Sequence, residues 1–205
     1  MEGRYSETFG ATQKSKGYIM SLIKQECFDR AFKIVSNFVI ANNVIMPEIV
    51  FTEKSEPKSV YCGLYYPSKK LIIIDMKKCR PPTKTPGYAW SYPGYKADKT
   101  PYGVLLHEFG HHIYHTHKLS AVLCVLSKKE KVSSYEPTFD ERAAETFKLF
   151  LGNPDLLRVL CPQRYKTLVD LGFTPVIHKT WQQVLEGAHP KYKQTIEKFI
   201  STRSV

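Results

Sequence analysis

Two histidines four residues apart, with a glutamate directly after the first, make the clearest chemical demand in this chain: His107-Glu108-Phe109-Gly110-His111. Positions i and i+4 of a helix lie one turn apart on one face, so both imidazoles can ligate a single ion. Zinc suits such a pair. Glu108 sits between them, where it can take a proton from a water activated by that ion. The ion lowers the water's pKa and polarises a carbonyl. The chemistry is metal-assisted hydrolysis with Glu108 as general base.

The motif needs a helix to carry it. Thr100-Pro101 is an N-cap and first-turn pair, and Tyr102, Leu105, Leu106, Phe109 and Ile113 form one apolar stripe. His107 and His111 fall on the roughly opposite side with Val104, as a metal site on the floor of a cleft requires. A hydrolytic zinc needs a third protein ligand. His117 follows, but in a continuing helix it rotates to the apolar side. The better source is a second helix, opened by Thr138-x-x-Glu141 as a capping box. There Glu141 and Glu145 share a face opposite Phe139, Ala143, Phe147 and Phe150. Transition-state stabilisation needs one more donor, and Tyr135, His178 and Tyr114 are the candidates.

The segment Leu106-His107-Glu108-Phe109-Gly110-His111-His112-Ile113-Tyr114-His115 resembles the zincin metallopeptidases. Its register is similar to that of the small intracellular ImmA/IrrE group and of phage-encoded metallopeptidases. Some of the ImmA/IrrE group also carry a histidine at the position of His115, and the phage-encoded proteins pair the motif with a stretch like Asp140 to Phe147 followed by Asn153-Pro154-Asp155. The resemblance covers roughly residues 60–158. It implies one catalytic zinc, a protein or peptide substrate and a cytoplasmic setting. It also implies Glu141 as the third ligand, with Glu145 and His115 supporting the ligands. The metzincin branch places its third histidine where His117 stands. That branch requires glycine where Tyr114 stands and a later methionine, whereas the last methionine here is Met76.

Around the motif the chain reads as α+β and zincin-like. Residues 1–16 are a polar, flexible N-terminus, and 17–205 form a single domain. One long helix, or two with a bend near Glu26, runs from Gly17 to Asn43 on Ile19, Leu22, Ile23, Phe28, Phe32, Val35, Phe38 and Val39, by helical periodicity. Three short strands follow at Glu48–Glu53, Ser59–Tyr65 and Lys70–Met76. The last, with Leu71-Ile72-Ile73-Ile74 apolar on both faces, should be the most buried. Residues 77–99, with Pro81, Pro82, Pro86, Pro93 and the aromatics Tyr88, Trp90, Tyr92 and Tyr95, form a long loop before the zinc helix. From Thr100 the chain is helical, punctuated by Gly172 and Pro190.

Composition constrains the rest. Hydrophobic residues make up 42% and charged residues 24% of the chain, as in ordinary globules. No apolar run approaches the roughly 20 residues of a membrane span, and the first residues lack an apolar signal core. The five cysteines are scattered without a CxxC, as reduced thiols would be. The net charge of +11 attracts polyanions. The alternative to an enzyme is therefore a non-catalytic zinc module that binds nucleic acid or protein through its basic surface.

Overall fold

A computed structural model describes residues 6–52, 61–82, 97–119 and 130–202, with side chains from Tyr18 onward. The long helix α1 spans Ser6–Asn42. Strands β1 (Glu48–Thr52), β2 (Gly63–Tyr66) and β3 (Leu71–Asp75) follow. Helix α2 spans Pro101–Thr116 and α3 spans Phe139–Gly152. Four shorter helices complete the described residues: α4 (Pro154–Leu160), α5 (Pro162–Asp170), α6 (Trp181–Gly187) and α7 (Pro190–Ser201). The molecule is α+β. Tyr88, Trp90, Tyr92 and Tyr95 lie outside the described residues.

The sheet has the order β1-β3-β2, with β3 parallel to β1 and antiparallel to β2. Apolar residues on both faces of β3 match its central place, and Ile72 and Ile74 are fully buried. A turn over Pro67 to Lys70 joins β2 to β3, with Lys70 at φ 49°. Register pairs Gly63 with Ile74 and Tyr65 with Ile72. Alternation along a strand therefore turns Gly63 and Tyr65 to the same face as those isoleucines, against α2.

Phe38 of α1 is the hub of the core. Its ring meets Phe109 of α2 and Phe150 of α3 edge-on at 6.1 and 6.3 Å, and stacks on Phe173 at 5.9 Å. Helix α1 departs from its sequence pattern at the N-terminal end. It begins at Ser6 rather than Gly17. Ile19, Leu22 and Phe32 are exposed, whereas Phe28, Ala31, Val35 and Phe38 are buried. Periodicity records which residues share a face, but what that face meets is decided by the neighbouring chain, and the sheet and helices here cover only the C-terminal part.

The two helices of the site approach closely at Gly110. A Cβ added there would lie 2.7 Å from the carbonyl oxygen of Ala144 and 2.8 Å from its Cα. Only glycine permits that contact, so the glycine inside the histidine motif brings the carboxylate face of α3 onto the histidine face of α2. Both helices are consequently buried on more than one face. On α3 burial includes Glu145, Thr146 and Lys148. Phe139, assigned above to the apolar face, is instead 44% exposed, since at the first turn it projects beyond the packed segment with Arg142 over its ring.

Candidate metal centre

Helix α2 starts as its sequence requires. Thr100 Oγ1 accepts from the backbone N–H of Gly103 at 3.2 Å, with Pro101 in the first turn. Residues His107, His111 and His115 then lie along one face, and Asp140, Glu141 and Glu145 of α3 stand opposite. Glu145 Oε1 is 2.7 Å from Nδ1 of His107, and Asp140 Oδ1 is 2.9 Å from Nδ1 of His111. Carboxylates only accept, so both Nδ1 atoms carry a proton, and each Nε2 presents a lone pair whenever its ring is neutral. Those two Nε2 atoms are 3.1 Å apart. Glu141 Oε2 lies 3.0 Å from Nε2 of His107 and 3.6 Å from Nε2 of His111.

Three electron-pair donors thus converge on one point. Neutral imidazole lone pairs facing each other and a carboxylate repel unless a proton or a metal ion lies among them. Glu141 Oε2 is buried, with no hydrogen-bond partner aligned on it. For bonds of about 2.1 Å the edge of a tetrahedron is roughly 3.4 Å, and the three separations bracket that value. Two histidines and a carboxylate are also a donor set that zinc takes. The residues present therefore fit a zinc ion.

Electrostatics of the ion-free site agree. Burial pushes the pKa of His111 down, but contacts with Asp140 and Glu141 outweigh it and raise it to about 10. Burial likewise pushes the pKa of His107 down, and its contacts with Glu141 and Glu145 outweigh burial and raise it. Burial raises the carboxyl of Glu141, yet the two histidines bring it down to about 2. The site is thus held in a state that seeks positive charge. Behind it, the buried Lys148 donates to Glu145 Oε1 at 2.5 Å, which keeps that carboxylate ionised and fixed.

Glu108 is 8% exposed and lines a cavity of about 350 Å³ with His107, Tyr61, Gly63 and Tyr135. Burial raises its carboxyl pKa, opposed by the charges of His107 and His111. Gly63 of the edge strand β2 makes room for it, for an added Cβ there would stand 2.8 Å from Glu108 Oε1. Tyr135 OH is 3.5 Å from Glu141 Oε1 and its ring centroid 5.8 Å from that of His107. Burial and the carboxylates of Glu141 and Glu108 push its phenol up to about 12, so it remains a donor. Arg164, fully buried, holds both oxygens of Glu136 at 3.2 and 2.8 Å, fixing the segment that carries Tyr135.

The other candidates lie elsewhere. His178 is 71% exposed beside Asp155, in a segment tied to the first turn of α4 by the Lys179 N–H, which donates to Asp155 Oδ2 at 2.9 Å. Tyr114 packs against the core. His115 reaches Asp140 Oδ2 at 3.4 Å but none of the three converging atoms. His117 caps α2 and packs on Phe173, centroids 5.4 Å apart, since the helix continues through Tyr114 to Thr116. Thr138 caps α3 by accepting from Glu141 N–H. The reciprocal half of a capping box is replaced, because the Glu141 carboxylate turns to the histidines.

Asp140 and Lys148 escaped the sequence reading. Asp140 is next to Glu141 in a capped first turn, where an acidic residue has an ordinary helical explanation. Lys148, three residues after Glu145, reads as a surface lysine. His112, buried, is structural: its Nε2 donates to the Ile45 carbonyl at 2.7 Å and its Nδ1 accepts from Tyr65 OH at 3.1 Å.

Cys27, Cys62, Cys79 and Cys161 are free thiols, and Cys124 lies outside the described residues. No described helix is long and apolar enough to cross a membrane. Comparison with family models, curated proteins and solved structures finds no match for this chain.

Proposed function

We propose that the chain is a zinc-dependent, zincin-like metallopeptidase that hydrolyses peptide bonds. The observation that carries this reading is the convergence of His107 Nε2, His111 Nε2 and Glu141 Oε2, with both Nδ1 atoms pinned by carboxylates. Zinc, when bound, supplies Lewis acidity toward a water and a substrate carbonyl. Burial, which raises the pKa of Glu108, suits it to accept a proton from the attacking water and return it to the leaving amine. Tyr135 stands where its hydroxyl can donate to a developing oxyanion. Among the described residues no strand pairs with the outer edge of β2, which lies beside Glu108, and an extended peptide can add to such an edge.

A purely structural zinc site would be closed by four protein ligands. Here His107, one of the three donors, lines an open cavity together with Glu108, an acid that is not among the donors, which favours catalysis over a binding module. The test is hydrolysis of a denatured protein by the zinc-loaded chain. Glu108→Gln is expected to abolish cleavage while one zinc per chain remains bound. Full activity in that variant overturns the mechanism.

A further inference from the structure

Alternation assigns each residue of the sheet to one of its two faces. On the inner face Gly63, Tyr65, Ile72 and Ile74 turn to α2. On the outer face the register places Leu64 opposite Ile73 and Tyr66 opposite Leu71, with Val50 beyond Ile73 on β1. A sheet face turned to water ordinarily carries polar residues. Here the row is apolar, although Val50 and Tyr66 are each 40% exposed and Leu64, Leu71 and Ile73 only partly buried. Single exposed apolar residues are common, but a contiguous patch marks a surface that another molecule covers.

The patch is continuous with the candidate metal centre. It forms a groove of about 270 Å³ that Tyr61, Cys62 and Gly63 also line. The same three residues line the cavity that holds His107 and Glu108. Groove and cavity therefore meet at the start of β2, around the edge of the sheet. Among the described residues no strand pairs with that edge. A peptide added there as a further strand sends alternate side chains to opposite faces. One set turns to the side of Glu108. The other lies beside Leu64 and Tyr66, about 4.8 Å across the edge, the spacing between strands.

We propose that the outer face of the sheet is an extended subsite for the substrate chain, recognising apolar side chains at every other position of an extended segment. The inference rests on the peptidase reading and names its substrate class, unfolded polypeptide in which apolar and polar residues alternate as in a strand. A segment of the same composition in another order keeps the backbone pairing but offers the groove fewer apolar side chains.

A pair of peptides of one composition tests the proposal, one alternating leucine with glutamine and the other gathering its leucines in a block. Fluorescence anisotropy reads their binding to the zinc-loaded Glu108→Gln chain, which holds them uncleaved, and kcat/KM reads their hydrolysis by the zinc-loaded wild type. The alternating peptide is expected to bind about tenfold more tightly, as burial of its apolar side chains allows. Tyr66→Ser, at an exposed position, and Leu64→Ser should each bring the two peptides to about equal affinity. If Leu64→Ser does not fold, Tyr66→Ser decides. Equal binding of the two peptides, or a preference that survives Tyr66→Ser, would overturn the subsite. Cleavage of both at equal kcat/KM also overturns it and leaves the peptidase reading standing. Preferential binding without cleavage by the wild type supports the subsite and overturns the peptidase reading. A chain that sediments as a dimer, and as a monomer in Tyr66→Ser, would assign the face to a second copy and overturn the proposal.

Discussion

Each histidine of the centre uses its two ring nitrogens differently. Nδ1 is spent on a carboxylate, which fixes ring orientation and tautomer, and Nε2 is left for the ion. Loss of a ligand and loss of an orienting carboxylate should therefore be separable. Glu141→Ala should lose most bound zinc and all activity, while Asp140→Asn and Glu145→Gln should weaken zinc by about 10–100-fold. His117→Ala should keep its zinc, as expected of a residue packed on Phe173. Competition with a chromogenic chelator measures all four. Protons compete for the same nitrogens. In the ion-free protein His111 titrates at about 10, so below that pH zinc must displace a proton to bind. Apparent affinity should rise with pH, by about tenfold per unit for each proton displaced. Asp140→Asn removes one cause of the raised pKa and should flatten that slope. A slope unchanged in the variant would show that Asp140 does not control the proton on His111.

Two glycines set the distances between elements. At Gly110 a methyl group meets backbone of α3, which cannot yield as a side chain does. Gly110→Ala should push α3 off α2, destabilise the fold by about 1–3 kcal/mol as overpacking does, and weaken zinc. At Gly63 the obstruction is the side chains of Val104 and Glu108. Gly63→Ala should displace the base, so that hydrolysis falls while zinc content stays at the wild-type level. Denaturant unfolding and metal analysis of the two variants distinguish these outcomes, and a Gly63→Ala enzyme of full activity would contradict the placement of Glu108. Much of this arrangement was legible in the chain. The caps at Thr100 and Thr138, the apolar run of β3 and the shared face of Glu141 and Glu145 are local patterns, and local patterns survive folding. What stayed hidden depends on partners distant in sequence. The exposure of Ile19 and Leu22, the packing of Gly110 on Ala144 and the burial of Lys148 beneath Glu145 each require knowing which element lies opposite.

At the scale of the whole molecule, the metal centre and the hydrophobic core occupy different places, so they should fail separately. The core converges on Phe38 and its ring neighbours Phe109, Phe150 and Phe173, none of which is among the three converging donors. Removing zinc by chelation should thus abolish hydrolysis but leave the helical circular-dichroism signal. The melting temperature should fall by the linkage between free zinc and its dissociation constant. Phe38→Ala should do the reverse, costing about 3–5 kcal/mol while whatever remains folded still binds zinc. The ion-free form has a further signature in pH. The pKa of His111 is raised from its ordinary 6.5 to about 10. A group raised on folding stabilises fully below its unfolded pKa and loses that stabilisation as pH climbs through the folded one. The ion-free chain should therefore lose melting temperature between about pH 6.5 and 10. In the zinc-loaded chain the nitrogen is occupied by metal and that loss should be smaller. Melting curves of both forms across this window test the point. Parallel declines would mean that His111 is not the group that zinc displaces a proton from.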